Sequence, residues 1–276
     1  MSGIYFDWNQ DFKDINRIFI RKFGAPSIKT LREYSDTKLD WFQKIFPQTF
    51  TSEEACLDSI IHCLKSQYDG IRLYHCCRPL KVTSYYNKGL MLLEKDFIRA
   101  HLLSIYREIT DTSYNEILLA IEAAFKFTGK DGFERRKYPY LFIDKSMAFS
   151  TRNNNFFRNP EILDIITNEI STEELKTNLY EKHHRASIPT VLVVDVPFEI
   201  LGARNIKIIS SLVAWKWAGI YFDKPEGECF KLDFGLAIPT AINKMHIKTH
   251  KHPRDTKDFD AGNSIYCDKC KKKIHR

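Results

Sequence analysis

No run of apolar residues in this 276-residue chain approaches the roughly 20 needed to span a bilayer. The first fourteen residues, MSGIYFDWNQDFKD, carry acids where a secretory signal would carry basic residues and an apolar stretch. A cytoplasmic protein without a membrane segment is the expectation. Glycine is scarce, with eleven in all, and no glycine-rich phosphate loop, dinucleotide fingerprint, HExxH or Gly-x-Ser-x-Gly is present. Those absences set aside the common kinase, zinc-protease and serine-hydrolase families. The seven cysteines are odd in number and scattered, so a disulfide framework is not expected either.

Apolar and aromatic residues, by contrast, are plentiful. With hydrophobic content at 43%, including twenty Phe and thirteen Tyr, the chain can bury a large core, which argues against disorder over most of its length. Charge is uneven. Lys244 to Arg276 holds ten Lys/Arg against four Asp, so +6 of the net +7 sits in the last 33 residues. A basic tail on a near-neutral body suits contact with nucleic-acid phosphates, where each cation gains affinity by counterion release.

Periodicity places three helices between residues 8 and 66. Phe12, Ile15, Phe19 and Phe23 recur at helical spacing ahead of Gly24, a second helix covers 27–46, and Thr51-Ser-Glu-Glu54 opens the third as a capping box. Further helices are expected over 96–109, 113–129, 160–170 and 173–183. Strands are expected within 71–79 and over 138–144, 188–196, 228–238 and 241–249, while 206–217 fits a helix by length and a strand by its Ile/Val content. The chain therefore reads as α+β: a helical region over 1–68, a mixed-sheet domain over 69–249, and a basic Cys/His-containing tail over 250–276.

Chemistry-bearing residues concentrate in two places. In the tail, Cys267 and Cys270 have the Cys-x2-Cys spacing that sets two thiolates on adjacent corners of a tetrahedron, and His246, His250, His252 and His275 can supply the remainder. His275, closest in sequence, is the expected third zinc ligand. The rival reading is a solvated lysine-rich end with two free thiols. Elsewhere, Asp195 at the end of the most apolar strand, with Glu199 beyond it, would suit a metal-dependent nuclease, although no matching acid-plus-lysine motif accompanies them.

The other place is LYHCCRPLKVTSYYNKGL, residues 73–90, in which a strand delivers His75 and Arg78 and a Tyr-rich turn follows. With YPYLFID some sixty residues later, this stretch resembles the NAD-binding cleft of the ADP-ribosyltransferase fold, in its His-Tyr-Glu branch and its toxin-like and phage-defence members. The resemblance covers residues 71–150 and implies a split mixed sheet and cleavage of NAD with transfer of ADP-ribose. His75 and Arg78 would hold ribose and phosphates, Tyr140 (or Tyr85 or Tyr86) would stack on nicotinamide, and Ser150 would support the site. The small-residue-plus-Glu motif expected after the second strand is replaced by Asn153-Asn154-Asn155-Phe156. Glu228, with Glu199 second, would then be the carboxylate that steadies the ribosyl cation. The alternative is a non-catalytic nucleic-acid-binding protein with a zinc-steadied tail.

Overall fold

The computed structural model describes residues 3–24, 52–96, 99–100, 103–104, 114–127, 137–149, 183–219, 235–253 and 264–275. In chain order the elements are β1 (Tyr5–Phe6), α1 (Phe12–Phe23), α2 (Glu53–Gln67), β2 (Gly70–Cys77), α3 (Thr83–Lys88), α4 (Tyr114–Phe127), β3 (Tyr140–Phe142), α5 (Lys145–Ala148), β4 (Thr190–Pro197), α6 (Ala203–Gly219), β5 (Gly235–Ala237), β6 (Ile247–Lys251), β7 (Ser264–Cys267) and β8 (Lys272–His275). The fold is α+β, as expected. The main sheet has the order β5-β3-β2-β4-β6 with β1 beside β2, and β7-β8 is a separate hairpin. β1 runs parallel to β2, whereas β2-β3, β4-β6 and β7-β8 are antiparallel. Among the described residues, no helix is long and apolar enough to cross a membrane.

The chain forms two compact units, Met1–Leu73 with Asp195–Leu236 and Tyr74–Val194 with Ala237–Arg276. In the first, α1 buries Ile15, Phe19 and Phe23 at helical spacing and stops at Gly24, whose φ of 83° suits a residue without Cβ. Phe19 meets Trp217 of α6 edge-on at 5.8 Å, and the indole Nε1 donates to Asn16 Oδ1 at 2.9 Å. The buried tryptophan thus keeps its one polar atom satisfied, as burial requires. α2 packs on α6. Its cap is Ser52, which accepts from the Ala55 amide at 3.1 Å, one residue later than the expected Thr51. Arg72 makes a two-pronged contact with Asp195 at 2.8 and 3.0 Å.

The second unit is built on Tyr74, Cys76, Phe142, Ala148, Val191 and Val193, which bury together under Met147 and Phe149. Cross-strand pairing sets Tyr74 against Phe142, and Val191, Leu192 and Val193 against Lys251, His250 and Thr249. β4 is buried along almost its whole length, as its β-branched sequence implies for an inner strand. α3 ends at Gly89, with φ of 82°. A Cβ there would lie 2.2 Å from the Ile242 carbonyl, because Leu90 and Ile242 exchange backbone hydrogen bonds at 2.9 and 2.8 Å.

The strand expected over 241–249 is displaced. Lys244–His246 is a single 3-10 turn, and β6 begins only at Ile247. Asn243 explains the shift, since its side chain accepts from the Met245 amide and closes the turn. The ambiguous stretch 206–217 lies within helix α6, because Asn205, Ile209, Val213 and Trp217 recur every four residues on the buried side. Asp144 does not prolong β3; it caps α5 by accepting from the Ser146 amide at 2.7 Å. The helices expected over 27–46 and 160–170 lie outside the described residues, as do 173–182, most of 96–109, and 228–234 of the expected fourth strand.

Candidate metal centre

His250 lies in β6 and His252 one residue beyond its end, two positions on, and their rings meet at 5.1 Å. The β7-β8 hairpin brings the other half. Its turn spans Asp268 to Lys271 and closes with the Lys271 amide donating to the Cys267 carbonyl at 3.0 Å. Lys271 takes φ of 56°, the left-handed geometry that tight turns require. The Cys270 amide points at Cys267 Sγ, 3.5 Å away. The turn therefore turns both thiols to one side, and an amide dipole favours the thiolate form of Cys267.

One ligand atom from each of His250, His252, Cys267 and Cys270 lies within 4.8 Å of the other three. Cys267 Sγ is 3.6 Å from His250 Nε2, and Cys270 Sγ is 3.8 Å from His252 Nε2. A tetrahedral ion with metal–sulfur bonds of about 2.3 Å and metal–nitrogen bonds of about 2.0–2.1 Å has S···N edges of about 3.6 Å. The observed edges match that figure closely. The cluster could hold a metal such as zinc.

The groups behind the ligands fix their protonation. His252 Nδ1 lies 3.0 Å from the Pro189 carbonyl, which can only accept, so Nδ1 carries the hydrogen and Nε2 offers its lone pair to the cluster. His250 Nδ1 lies 2.9 Å from the Tyr86 hydroxyl, which can accept in the same way. Burial lowers the pKa of both imidazoles, helped at His250 by the nearby His252 and Lys269, so both are neutral, as ligands must be. Burial raises the Cys267 thiol, with the Cys270 and Lys269 amides acting against it. A cation in the cluster would reverse that preference.

Two contacts fasten the hairpin to the rest of the second unit. Asp268 accepts from the Val82 amide at 2.9 Å, from the Thr83 amide at 3.2 Å, and from the Thr83 hydroxyl. Burial alone would raise its carboxyl, but these bonds, the Thr83 hydroxyl foremost, outweigh burial and lower it. Val82, Ile188 and Cys267 are buried together, with Tyr86, Cys270 and Ile274 packed around them.

Two of the expected ligands, Cys267 and Cys270, are in the cluster. His275 is not one of its members. It pairs with Ser264 at the far end of the hairpin, three residues along from the Cys267–Lys272 pair, or roughly 10 Å at strand spacing. The sequence signal for the true partners was His250-x-His252, whose spacing of two places both rings on one side of a strand.

The residues expected around NAD divide. His75, Tyr85 and Tyr140 are brought together: His75 Nδ1 lies 2.9 Å from the Tyr140 carbonyl, and the His75 ring meets Tyr85 at 6.2 Å, edge to face. Burial lowers the His75 pKa against the pull of that carbonyl, so the ring is neutral. Tyr86 turns to His250 of the cluster instead. Arg78 is 2% exposed, donating to Ser187 Oγ at 2.9 Å and to the His184 carbonyl at 2.8 Å, so its guanidinium is committed inside the unit. Cys76 and Cys77 are buried with raised pKa values. Glu199 sits exposed in a 3-10 turn of the first unit, and both oxygens of Asp195 are engaged by Arg72. Glu228 and Ser150 lie outside the described residues.

Comparison with protein-family models, with curated proteins and with solved structures finds no match for the chain.

Proposed function

We propose that the chain is a nucleic-acid-binding protein whose basic contact surface is held in shape by a structural zinc ion. The convergence of His250, His252, Cys267 and Cys270 within 4.8 Å carries this reading. Two thiolates and two imidazoles are the donor set of closed tetrahedral zinc sites, and four protein ligands leave no position for a substrate. The ion would fasten the β7-β8 hairpin to β6, and its chemistry there is structural.

The partner follows from what those elements display. Lys244, Lys248, Lys251, Lys269, Lys271, Lys272 and Lys273 are all exposed. Among the described residues of 241–275 the one carboxylate, Asp268, is engaged by Val82 and Thr83. The hairpin also presents Tyr266, 55% exposed and paired across the strands with Lys273. Cations for phosphates and a ring for a base are the two parts of a single-strand contact.

Fluorescence anisotropy with a labelled single strand, titrated across a salt series, tests this. Changing Lys271, Lys272 and Lys273 to Gln is expected to flatten the slope of log K against log salt by about 2, at roughly 0.7 per lost phosphate contact. Binding that ignores both salt and these three lysines would refute it.

A second reading has its own observation, the contact of His75 with the Tyr85 ring and with the Tyr140 backbone carbonyl. It is the ADP-ribosyltransferase that residues 71–150 resemble, with His75 Nε2 left to address a ribose hydroxyl and a tyrosine beside nicotinamide. Arg78, being committed elsewhere, would take no part. Release of nicotinamide from NAD that disappears in His75→Ala supports it; no release from the intact protein removes it.

A further inference from the structure

The helix α3 is gripped by the metal centre on one side and touches His75 on the other. Its start is held by Asp268, which lies between the two cysteine ligands and accepts from Val82 and Thr83. In its middle, the Tyr86 hydroxyl meets Nδ1 of the ligand His250, and Lys269 Nζ, also from between the cysteines, lies 4.1 Å from the centre of the Tyr86 ring. The preceding residue, Tyr85, points the other way. Its ring meets His75 at 6.2 Å, and its hydroxyl is hydrogen-bonded to the Cys77 side chain. Two consecutive tyrosines on a six-residue helix thus contact two different clusters.

From this arrangement we infer that metal occupancy of the His250-His252-Cys267-Cys270 cluster positions Tyr85 against His75, with α3 as the connecting element and Tyr86 and Asp268 as its positioning residues. A six-residue helix is too short to persist on its own propensity, so its placement depends on what holds it. Part of the grip is independent of the metal: the Leu90–Ile242 bridge fixes the end of the helix. The remainder passes through the Cys267–Cys270 turn and the His250 ring. When the ion is bound, the turn is closed, His250 is held with Nε2 inward and Nδ1 towards Tyr86, and Asp268 is presented to Val82 and Thr83. Without it, the paired thiols and imidazoles lose their common partner, and the start of α3 loses its anchor. Tyr85 then moves relative to β2, which carries His75 and Cys77.

This rests on the metal-centre reading, and the experiment separates the two. Full-length protein is analysed for zinc content, then followed by hydrogen exchange and by imidazole NMR of His75, with the ion bound and after chelation. The expected result is one zinc per chain. On chelation, amide exchange across 83–90 should rise at least tenfold and the His75 ring resonances should shift, while β4 stays protected. Asp268→Asn and Tyr86→Phe, loaded with zinc to the same stoichiometry, should each move the His75 resonances part of the way to the chelated position. A chain that takes up no zinc defeats the metal centre and the coupling with it. Stoichiometric zinc with unchanged His75 resonances on chelation overturns the coupling alone. Loss of protection throughout β4 and α4 also overturns it, since the ion would then be a condition of the whole unit.

Discussion

Cys76 and Cys77 sit beside His75 in sequence and lie outside the His250-His252-Cys267-Cys270 cluster. Burial pushes the Cys77 thiol up to about 12, with the Tyr85 bond acting against it, and raises Cys76 still further. A thiol that stays protonated is a poor nucleophile. At pH 8, iodoacetamide is therefore expected to modify Cys76 and Cys77 of the native protein roughly a hundredfold more slowly than Cys270 after chelation, read by peptide mass spectrometry. The same burial has a consequence for stability. The native state holds the Cys77 proton more tightly than the unfolded chain, whose thiol titrates near 8.5. The contribution is complete below about 8.5 and is lost as pH rises through about 12. Denaturation midpoints should fall over that window, and Cys77→Ala should flatten the fall. His75 works with the opposite sign. Its lowered pKa means the contribution is present above the ordinary histidine value of about 6.5 and is lost as pH drops through its folded pKa.

Among the elements, α1 was readable because a hydrophobic stripe and a stopping glycine agreed on it. β4 was equally readable, since the β-branched, apolar run Val191–Val194, with Val196 beyond Asp195, fits an inner strand. Where the sequence misled, a local hydrogen bond had decided the matter: Asn243 closing a turn ahead of β6, Asp144 capping α5, and Ser52 displacing Thr51 as the cap of α2. These are choices between neighbouring polar residues, and composition does not rank them. The Tyr-rich turn read after Arg78 is the short helix α3, which ends at Gly89. Gly89→Ala makes a sharp test at this scale. Positive φ and a Cβ 2.2 Å from the Ile242 carbonyl combine there, so the backbone must give way. A loss of about 2 kcal/mol or more in chemical denaturation is expected, against a smaller loss of about 1 kcal/mol for Gly24→Ala, where the positive φ strains an added side chain but nothing lies within 4 Å of the added carbon.

On the scale of the molecule, the candidate metal centre draws its ligands from residues 250 to 270, while the groups behind them come from residues as distant as Tyr86 and Pro189. That explains why it was only half legible. The Cys-x2-Cys pair announces itself by spacing, but choosing among four histidines requires knowing that β6 and the hairpin lie side by side. His275 was attractive because it is near in sequence, and pairing across β7-β8 carries it to the wrong end. Of the residues named for the NAD reading, His75 lies against the backbone carbonyl of Tyr140 rather than its ring, and Arg78, chosen for its proximity to His75, is a buried fastening.

Zinc stoichiometry of the purified chain and of two ligand variants tests the central claim most directly. Elemental analysis is expected to give one zinc per chain for the wild type and for His275→Ala, and a loss of at least tenfold in zinc affinity for His252→Ala and for Cys267→Ser. Zinc retained in His252→Ala but lost in His275→Ala, or no zinc in the folded wild type, would contradict it.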